Sequence, residues 1–333
     1  IQSMSDTQDL GFDHESELEE PIEEYTEEQL KAMSAYERLA VRAQRAKRIQ
    51  SKNDATHMVP VRHPQQTFFS TELFTDTAFK DDVASMEHPI FTLSTNDKTP
   101  KEYVVGDTTI KILPTVGMGL ATVFDKDIWI YCISKLVQAL NEEAEISRTV
   151  RFKAYDLLVA TNRSTGGVSY SRLKDSLDRL IGTKIFTNVK TGGKRSASAF
   201  GLLDSYPIVE NDSSGKMVSI EVTLPDWLYR SVTSKSVLTI SSDYFRLRKT
   251  IDRRLYELAR KYCGNQSSWK ISLPLLLEKT GSTTILRKFR ASVKSLEETG
   301  AFPDYTVSID SSDMVTFTRR KKAVFVKGGM AIK

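Results

Sequence analysis

Two stretches of this chain repeat one order of elements, and that repetition constrains the fold more than any other feature. Each runs helix, short strand, helix, helix, β-hairpin, the first from Phe124 to Leu224 and the second from Leu247 to Thr318. In the first, Ile128, Tyr131, Cys132, Leu136 and Leu140 recur at helical spacing and predict a helix from Phe124 to about Glu142. Thr149–Lys153 reads as a strand, Ala154–Ala160 as a short helix, and Ser169–Ile181 as a helix with Tyr170, Leu173, Leu177, Leu180 and Ile181 on one face. Hairpin strands are expected at Lys184–Val189, Ala197–Leu203 and Met217–Leu224, with a turn at Gly192-Gly193.

The second stretch predicts a helix over Leu247–Cys263, a strand over Ser268–Ile271 and a short helix over Leu273–Lys279. A longer helix follows over Ser282–Thr299, with Ile285, Phe289, Val293 and Leu296 inward. Tyr305–Ile309 and Met314–Thr318 form a hairpin closed by Asp310–Asp313. Arg151–Thr161 matches Trp269–Thr280 in residue type, and Ser171–Leu180 matches Arg287–Leu296, about 115 residues apart. This is the order of a winged helix, a helix-turn-helix variant whose second close-packed helix enters a major groove while the hairpin supplies the wing. The expected class is α+β: tandem winged-helix domains at 58–235 and 236–333, after a disordered acidic tail (1–28) and a basic helix or linker (29–57). The first domain adds a β extension, with strands at Pro89–Leu93, Tyr103–Val105 and Thr108–Leu113 and a two-residue loop at Gly106-Asp107.

The net charge of +4 hides a segregation that points to a partner. Residues 4–28 hold eleven acids (Asp6, Asp9, Asp13, Glu15, Glu17, Glu19, Glu20, Glu23, Glu24, Glu27, Glu28) and no Lys or Arg. The rest of the chain, with 47 basic side chains against 32 acidic ones, carries +15. So acidic and apolar-poor a block cannot bury enough surface to fold, and it reads as a solvated tail; the competing readings are an intramolecular DNA mimic and a docking segment. Thr26-Glu27-Glu28-Gln29 reads as a capping box opening a helix to about Lys52. That arm has a thin apolar stripe (Leu30, Met33, Leu39, Ala43, Ala46) and a basic end (Arg42, Arg45, Lys47, Arg48, Lys52), fit either for a phosphate backbone or for covering the body. For a +15 body the matching partner is a polyanion, here double-stranded DNA.

Other chemistries lack their residues. Cys132 and Cys263 stand alone in apolar helical patterns, which fits a reducing cytoplasm, and His14, His57, His63 and His88 show no metal-ligand spacing. Gly193-Lys194-Arg195 lacks the upstream Gly and the hydroxyl of a phosphate-binding loop, and there is no Gly-x-Ser-x-Gly. No cofactor, metal or enzymatic activity is expected. No run approaches the roughly 18 apolar residues of a spanning helix, so no membrane partner is expected, and no basic-then-apolar leader supports secretion. Ile1–Ser3, ahead of Met4, are left out of the fold reasoning.

A helical wheel places Ser171, Arg172, Asp175, Asp178 and Arg179 opposite the apolar face of the first candidate recognition helix, a nearly neutral set. On the second it places Thr283, Thr284, Arg287, Arg290, Ala291 and Lys294, with Lys288 beside them, a basic and hydroxylic set suited to base edges and phosphates. The first wing is expected to carry Lys184, Lys190, Lys194 and Arg195, and the second to end in Arg319, Arg320, Lys321 and Lys322, as phosphate contacts. The bland reading of each Lys or Arg is solubility; the joint pattern of two modules with basic hairpins on a basic body favours DNA. Phe68, Phe69, Trp129, Tyr131, Trp227, Tyr256 and Trp269 sit in apolar patterns and read as core.

Gly119–Cys132, preceded by His88–Ser94, and Asp252–Gly264, followed by Trp269-Lys-Ile271, resemble the bacterial plasmid replication initiator protein A family over about residues 60–325. The resemblance implies a theta-type initiator whose tandem winged helices bind repeated origin sites (iterons). It further implies opening of adjacent AT-rich DNA, recruitment of the host initiator and replicative helicase, and a dimer that represses its own promoter and initiates as a monomer. The recognition helices carried over by position are Ser169–Ile181 and Ser282–Thr299. A transcriptional repressor of the same fold shares these contacts. A DNA nickase, which needs a metal-binding His pair, does not fit.

Overall fold

A computed structural model of the chain describes residues 57–63 and 78–320, apart from 106, 189, 192–193, 196–197 and 212–216, together with 33–34, 37–38 and 41. The chain divides into units 1–54 and 55–333. In the first unit, the Ser34 N–H donates to Glu37 Oε2 at 2.7 Å and the Glu37 N–H to Ser34 Oγ at 3.3 Å. That reciprocal pair is a capping box, and Glu37, Arg38 and Val41 are helical. The acidic block and the Thr26–Gln29 box lie outside the described residues, as do Phe68 and Phe69.

The second unit is mixed α and β. It opens with β1 (Lys80–Asp82), α1 (Val83–Glu87) and the hairpin β2 (Lys101–Val105)–β3 (Thr108–Pro114). Pro89–Leu93, expected as a strand, is irregular, with only a parallel bridge from Thr92 to Thr122. Its Ile90 and Phe91 are buried, so the apolar run belongs to a core segment without strand partners.

The first module follows: α2 (Lys126–Asn141), β4 (Thr149–Lys153), α3 (Ala154–Ala160) and α4 (Gly167–Gly182). Next come β5 (Thr183–Thr187), β6 (Lys190–Thr191), β7 (Lys194–Arg195), β8 (Ser198–Gly201), β9 (Ile208–Asn211) and β10 (Met217–Thr223). α5 (Asp226–Thr233), β11 (Val237–Thr239) and a 3-10 turn at Ser242–Arg246 lead into the second module. That module is α6 (Thr250–Cys263), β12 (Ser268–Ser272), α7 (Leu273–Thr280), α8 (Leu286–Thr299), β13 (Tyr305–Ile309) and β14 (Met314–Arg319).

The two modules share a sheet plan. In the second, β12 pairs antiparallel with β14, from Ser268↔Thr318 to Ser272↔Met314, and β14 pairs with β13. In the first, β4 pairs with β10, from Thr149↔Thr223 to Lys153↔Ser219, and β10 pairs with β9. The hairpin in the wing position of the first module is therefore β9–β10, not the expected 184–203. Strands β5 and β8 instead extend β2–β3 into a separate antiparallel sheet of order β2-β3-β5-β8. Strand patterning alone shows that several strands follow α4 but not which of them pairs with β4.

Two apolar clusters hold the modules. One gathers Trp129, Tyr131, Leu136, Phe152, Leu173, Leu177, Ile185, Ile220 and Trp227. Trp129 meets Phe91 and Trp227 edge-on at 5.0 and 5.3 Å, and its indole N–H donates to the Leu202 carbonyl at 2.8 Å. The other gathers Leu255, Leu258, Leu273, Leu276, Phe289, Val293, Leu296 and Phe317, and takes in Phe79 and Met86 from the chain ahead of the first module. Tyr256 is buried there, while Trp269 is half-buried and stacked between Tyr262 and Phe317.

Between α2 and α6 runs a buried ionic seam. Lys126, with no solvent exposure, reaches Asp81 at 2.7 Å and Glu257 at 3.2 Å. Glu257 also accepts from Arg254 at 3.0 Å and from the Tyr244 hydroxyl at 2.8 Å. Asp127 is held by Arg253 at 2.5 Å and Arg163 at 2.8 Å, and the Arg253 guanidinium lies over the Phe124 and Tyr244 rings. Arg254 donates to the carbonyls of Ser85, Met86, Glu87 and Lys279, joining α1 and α7. His57 bridges Asp252 (2.7 Å) and Ser295 (2.8 Å), tying the segment at 57–63 to α6 and α8. Buried charges are tolerated only when paired and hydrogen-bonded, and most of these are.

Candidate nucleic-acid interface

The strongest candidate surface is built on α8. Phe289, Val293 and Leu296 are fully buried at helical spacing and fix which way the helix faces. Arg287, Lys288, Ala291 and Lys294 are left exposed. The helix begins at Leu286 rather than the expected Ser282. Gly281 ends α7 in the left-handed region (φ 70°), and the side chains of Thr280 and Ser282 accept from the Ser282 and Thr284 N–H groups, both at 3.2 Å. Short hydroxyl side chains offer the backbone these alternatives to a helix, so Thr283 and Thr284 sit on the connecting turn, not on the helical face. Ile285 follows at 57% exposure, directly ahead of the helix.

Two arginines expected to face DNA are engaged by partners within the module. Arg290 forks onto Asp313, with Nε 2.8 Å from Oδ1 and Nη2 on Oδ2, and so ties α8 to the turn between β13 and β14. That guanidinium holds the Asp313 carboxyl below the usual carboxylate range. Arg320 donates to the carbonyls of Tyr305 (3.0 Å) and Gly300 (2.7 Å), covering the C-terminal end of α8, where carbonyls lack partners. Arg319 is exposed at the end of β14, while Lys321 and Lys322 lie outside the described residues.

On α4 the apparent charge balance resolves differently. Arg179 forks onto the buried carboxylate of Asp125 (2.8 and 2.7 Å) at the start of α2 and is withdrawn from the surface. Asp178 is paired with Lys174 at 3.1 Å and accepts from the Tyr206 hydroxyl. Ser171, Arg172, Lys174 and Asp175 remain exposed. Lys184 is exposed on β5, and Lys190, Lys194 and Arg195 lie on the β6–β7 hairpin. Lys184 belongs to the β2-β3-β5-β8 sheet and the other three to the separate two-stranded β6–β7 sheet, none of them to the hairpin that pairs with β4. The segment between β9 and β10, residues 212–216, lies outside the described residues.

Ile285, expected inward, is exposed because it precedes the helix, and sequence reasoning missed Lys174 and the seam. Charges clustered at the starts of two helices with strong apolar stripes (Asp125-Lys-Asp127 and Asp252-Arg-Arg254) were its signal: charged triplets set in a core pattern need buried partners. Among the described residues, no group of three or more His, Cys, Asp or Glu side chains is arranged to hold a metal ion, and no helix is long and apolar enough to cross a membrane.

A putative replication protein of Wigglesworthia glossinidia brevipalpis is 43% identical to this chain over 258 residues, 76% of this chain and 93% of that protein. Two crystal structures of domains 2 and 3 of RctB are similar at 14% and 11% identity, with TM-scores of 0.49 and 0.48. They cover 69% and 72% of this chain and 94% and 97% of their own. The sequence profile of the family described as Replication initiator protein A matches residues 80–307. That match takes in the first module, most of the second and the Lys126–Glu257 seam between them, and the chain belongs to the replication initiator protein A family.

Proposed function

We propose that this protein is a non-catalytic plasmid initiator whose two modules are winged helices that read repeated duplex sites at an origin. In this reading α8 and α4 are the recognition helices, and β13–β14 and β9–β10 are the wings. The observation that carries it is the exposed basic face of α8, with Arg287, Lys288 and Lys294 displayed by a helix whose other side is locked in the core. Arg287 lies near the helix N-terminus, the end that reaches base edges in helix-turn-helix docking. The shared sheet plan of the two modules supports one docking mode used twice. Membership in the initiator family supports the further roles: opening of adjacent DNA, contact with the host initiator and replicative helicase, and a dimeric repressing form.

The test is a plasmid carrying only the cognate origin, introduced into cells with and without this gene. Replication that depends on the gene is the expected result. Binding to the origin without any support of replication would make the protein a repressor and overturn the initiator reading.

A further inference from the structure

Ile285 occupies a position that serves neither of the ordinary purposes of an isoleucine. It stands immediately ahead of α8 with extended backbone, and its carbonyl accepts from the Phe289 N–H at 3.1 Å, the bond that opens the helix. Ser, Thr, Asp and Asn are favoured at this place, because a side-chain oxygen there accepts from an unpaired N–H of the first turn; isoleucine ranks among the poorest choices. Ile285 makes no such bond. Its side chain does not join the core either. It is 57% exposed, whereas Leu286 packs against the apolar cluster of the second module and Phe289 is fully buried within it. Capping and burial are thus both forgone at one residue. The residues around it in sequence are polar, cationic or small: Thr283, Arg287, Lys288 and Ala291 are all exposed, and the first turn of α8 holds no acid.

We propose that Ile285 is a specificity-determining residue that reads the 5-methyl group of a thymine in the major groove, close to the base edge addressed by Arg287. The proposal rests on the duplex-reading role of α8 and names what that helix reads. In the major groove an A·T pair offers a methyl group that a G·C pair lacks, and apolar side chains recognise it. The N-terminal end of a recognition helix is the part that reaches base edges. A β-branched side chain is stiff about χ1, so Ile285 meets the methyl with little loss of freedom. Arg287, two residues on, supplies the forked donor that suits guanine, and the two together favour a thymine near a guanine. An apolar pocket on a protein partner fits this place poorly. It would have to desolvate Arg287 and Lys288, whereas the phosphates that flank a groove pair with them.

The test compares the full chain on two labelled origin duplexes of one sequence, one built with thymine and the other with deoxyuridine throughout. Uracil pairs as thymine does and lacks only the methyl. Burial of one methyl group is worth about fourfold in affinity, so the wild type binds the uracil duplex about fourfold more weakly. In Ile285→Ser that ratio falls below about twofold, while Ile285→Val, which keeps a branched apolar surface, holds it at about threefold or more. The serine hydroxyl caps α8, so the thermal midpoint of Ile285→Ser rises rather than falls. The salt dependence of binding stays at the wild-type value, because no phosphate contact is removed. A wild-type ratio of about one, or an unchanged ratio in Ile285→Ser, with origin binding intact, overturns this inference alone. A lost ratio accompanied by a lower midpoint also overturns it, by assigning the loss to a damaged helix. Absence of any origin binding in the wild type overturns both this inference and the duplex-reading role on which it rests.

Discussion

At the residue scale, side chains of one type divide into exposed groups and braces according to their neighbours. Arg287 and Arg290 lie one turn apart on α8, yet Arg290 is bound to Asp313 while Arg287 is exposed. Arg287→Ala is expected to cost about 1–3 kcal/mol on the cognate site and much less on random duplex, as competitive binding on the two DNAs would show. Equal losses on both would make Arg287 a phosphate contact. Helical spacing reveals that Arg287, Arg290 and Lys294 share a face, but not that a turn some 20 residues later presents a carboxylate to one of them. Arg179 and Arg320 escaped sequence reasoning for the same reason. His88 adds a pH dependence. Burial lowers its imidazole pKa below the usual 6.5; Glu87 pulls it up, while Arg254, Lys279 and Lys261 lower it further. The folded protein thus prefers the neutral ring, and the unfolded chain takes up a proton first as pH falls. The stability this contributes is complete above about pH 6.5 and is lost as pH drops from there through the folded-state pKa. His88→Gln should flatten that part of the profile in urea unfolding between about pH 7 and pH 5. A wild-type slope in the variant would assign the dependence to other groups.

At the element scale, the turn between α7 and α8 decides where the basic face points. Gly281 has φ 70°, its carbonyl accepts from the Tyr103 hydroxyl at 3.3 Å, and a Cβ there would lie 2.5 Å from Pro89 Cβ. Gly281→Ala therefore combines a left-handed backbone penalty with a clash against a ring that has little room to move. The expected cost is roughly 2–5 kcal/mol of stability, from about 1–2 for the backbone and 1–3 for overpacking. It is accompanied by weakened cognate binding, checked by urea unfolding and anisotropy on the same sample. A neutral effect on both would mean that the turn relaxes freely. Helices were well read in the sequence because their apolar spacing is local: Ala154–Ala160 forms as expected, and α2 and α4 differ from expectation by about two residues at an end. Strands were located almost as well, yet their pairing was not legible. Lys184–Val189 and Met217–Leu224 alternate alike, and only the folded chain shows that the second joins β4 while the first joins β3. With that pairing, the four expected wing residues fall on two other sheets, Lys184 on β5 and the rest on β6–β7.

At the scale of the whole molecule, the two segments that most resemble the family, Gly119–Cys132 and Asp252–Gly264, meet each other rather than a ligand. Lys126 comes from one and Glu257 from the other, and each is almost fully buried. The seam therefore sets how α4 and α8 are held relative to each other, and on the proposed reading the spacing of the two contacts on DNA follows from it. Lys126→Ala leaves the Asp81 and Glu257 carboxylates facing each other without their shared cation. Burial already pushes the Asp81 carboxyl up to about 7 despite Lys126, so loss of the lysine is relieved in part by protonation rather than by solvent. Removing one partner from a buried ion pair costs about 3–5 kcal/mol. Each module is built largely on its own apolar cluster, the second also taking in Ile130 of α2, so the loss falls chiefly on the junction. The expected result is a single calorimetric transition in the wild type and two in Lys126→Ala, with the two-module site bound more weakly and a half-site unchanged. A rigid connection turns the second contact into an intramolecular event with a high effective concentration, and loosening it lowers that concentration without touching either reading face. Lys126→Arg preserves the charge and should recover part of the coupling. Two transitions already present in the wild type, or equal losses on the half-site and the full site, would show that the modules act without this seam.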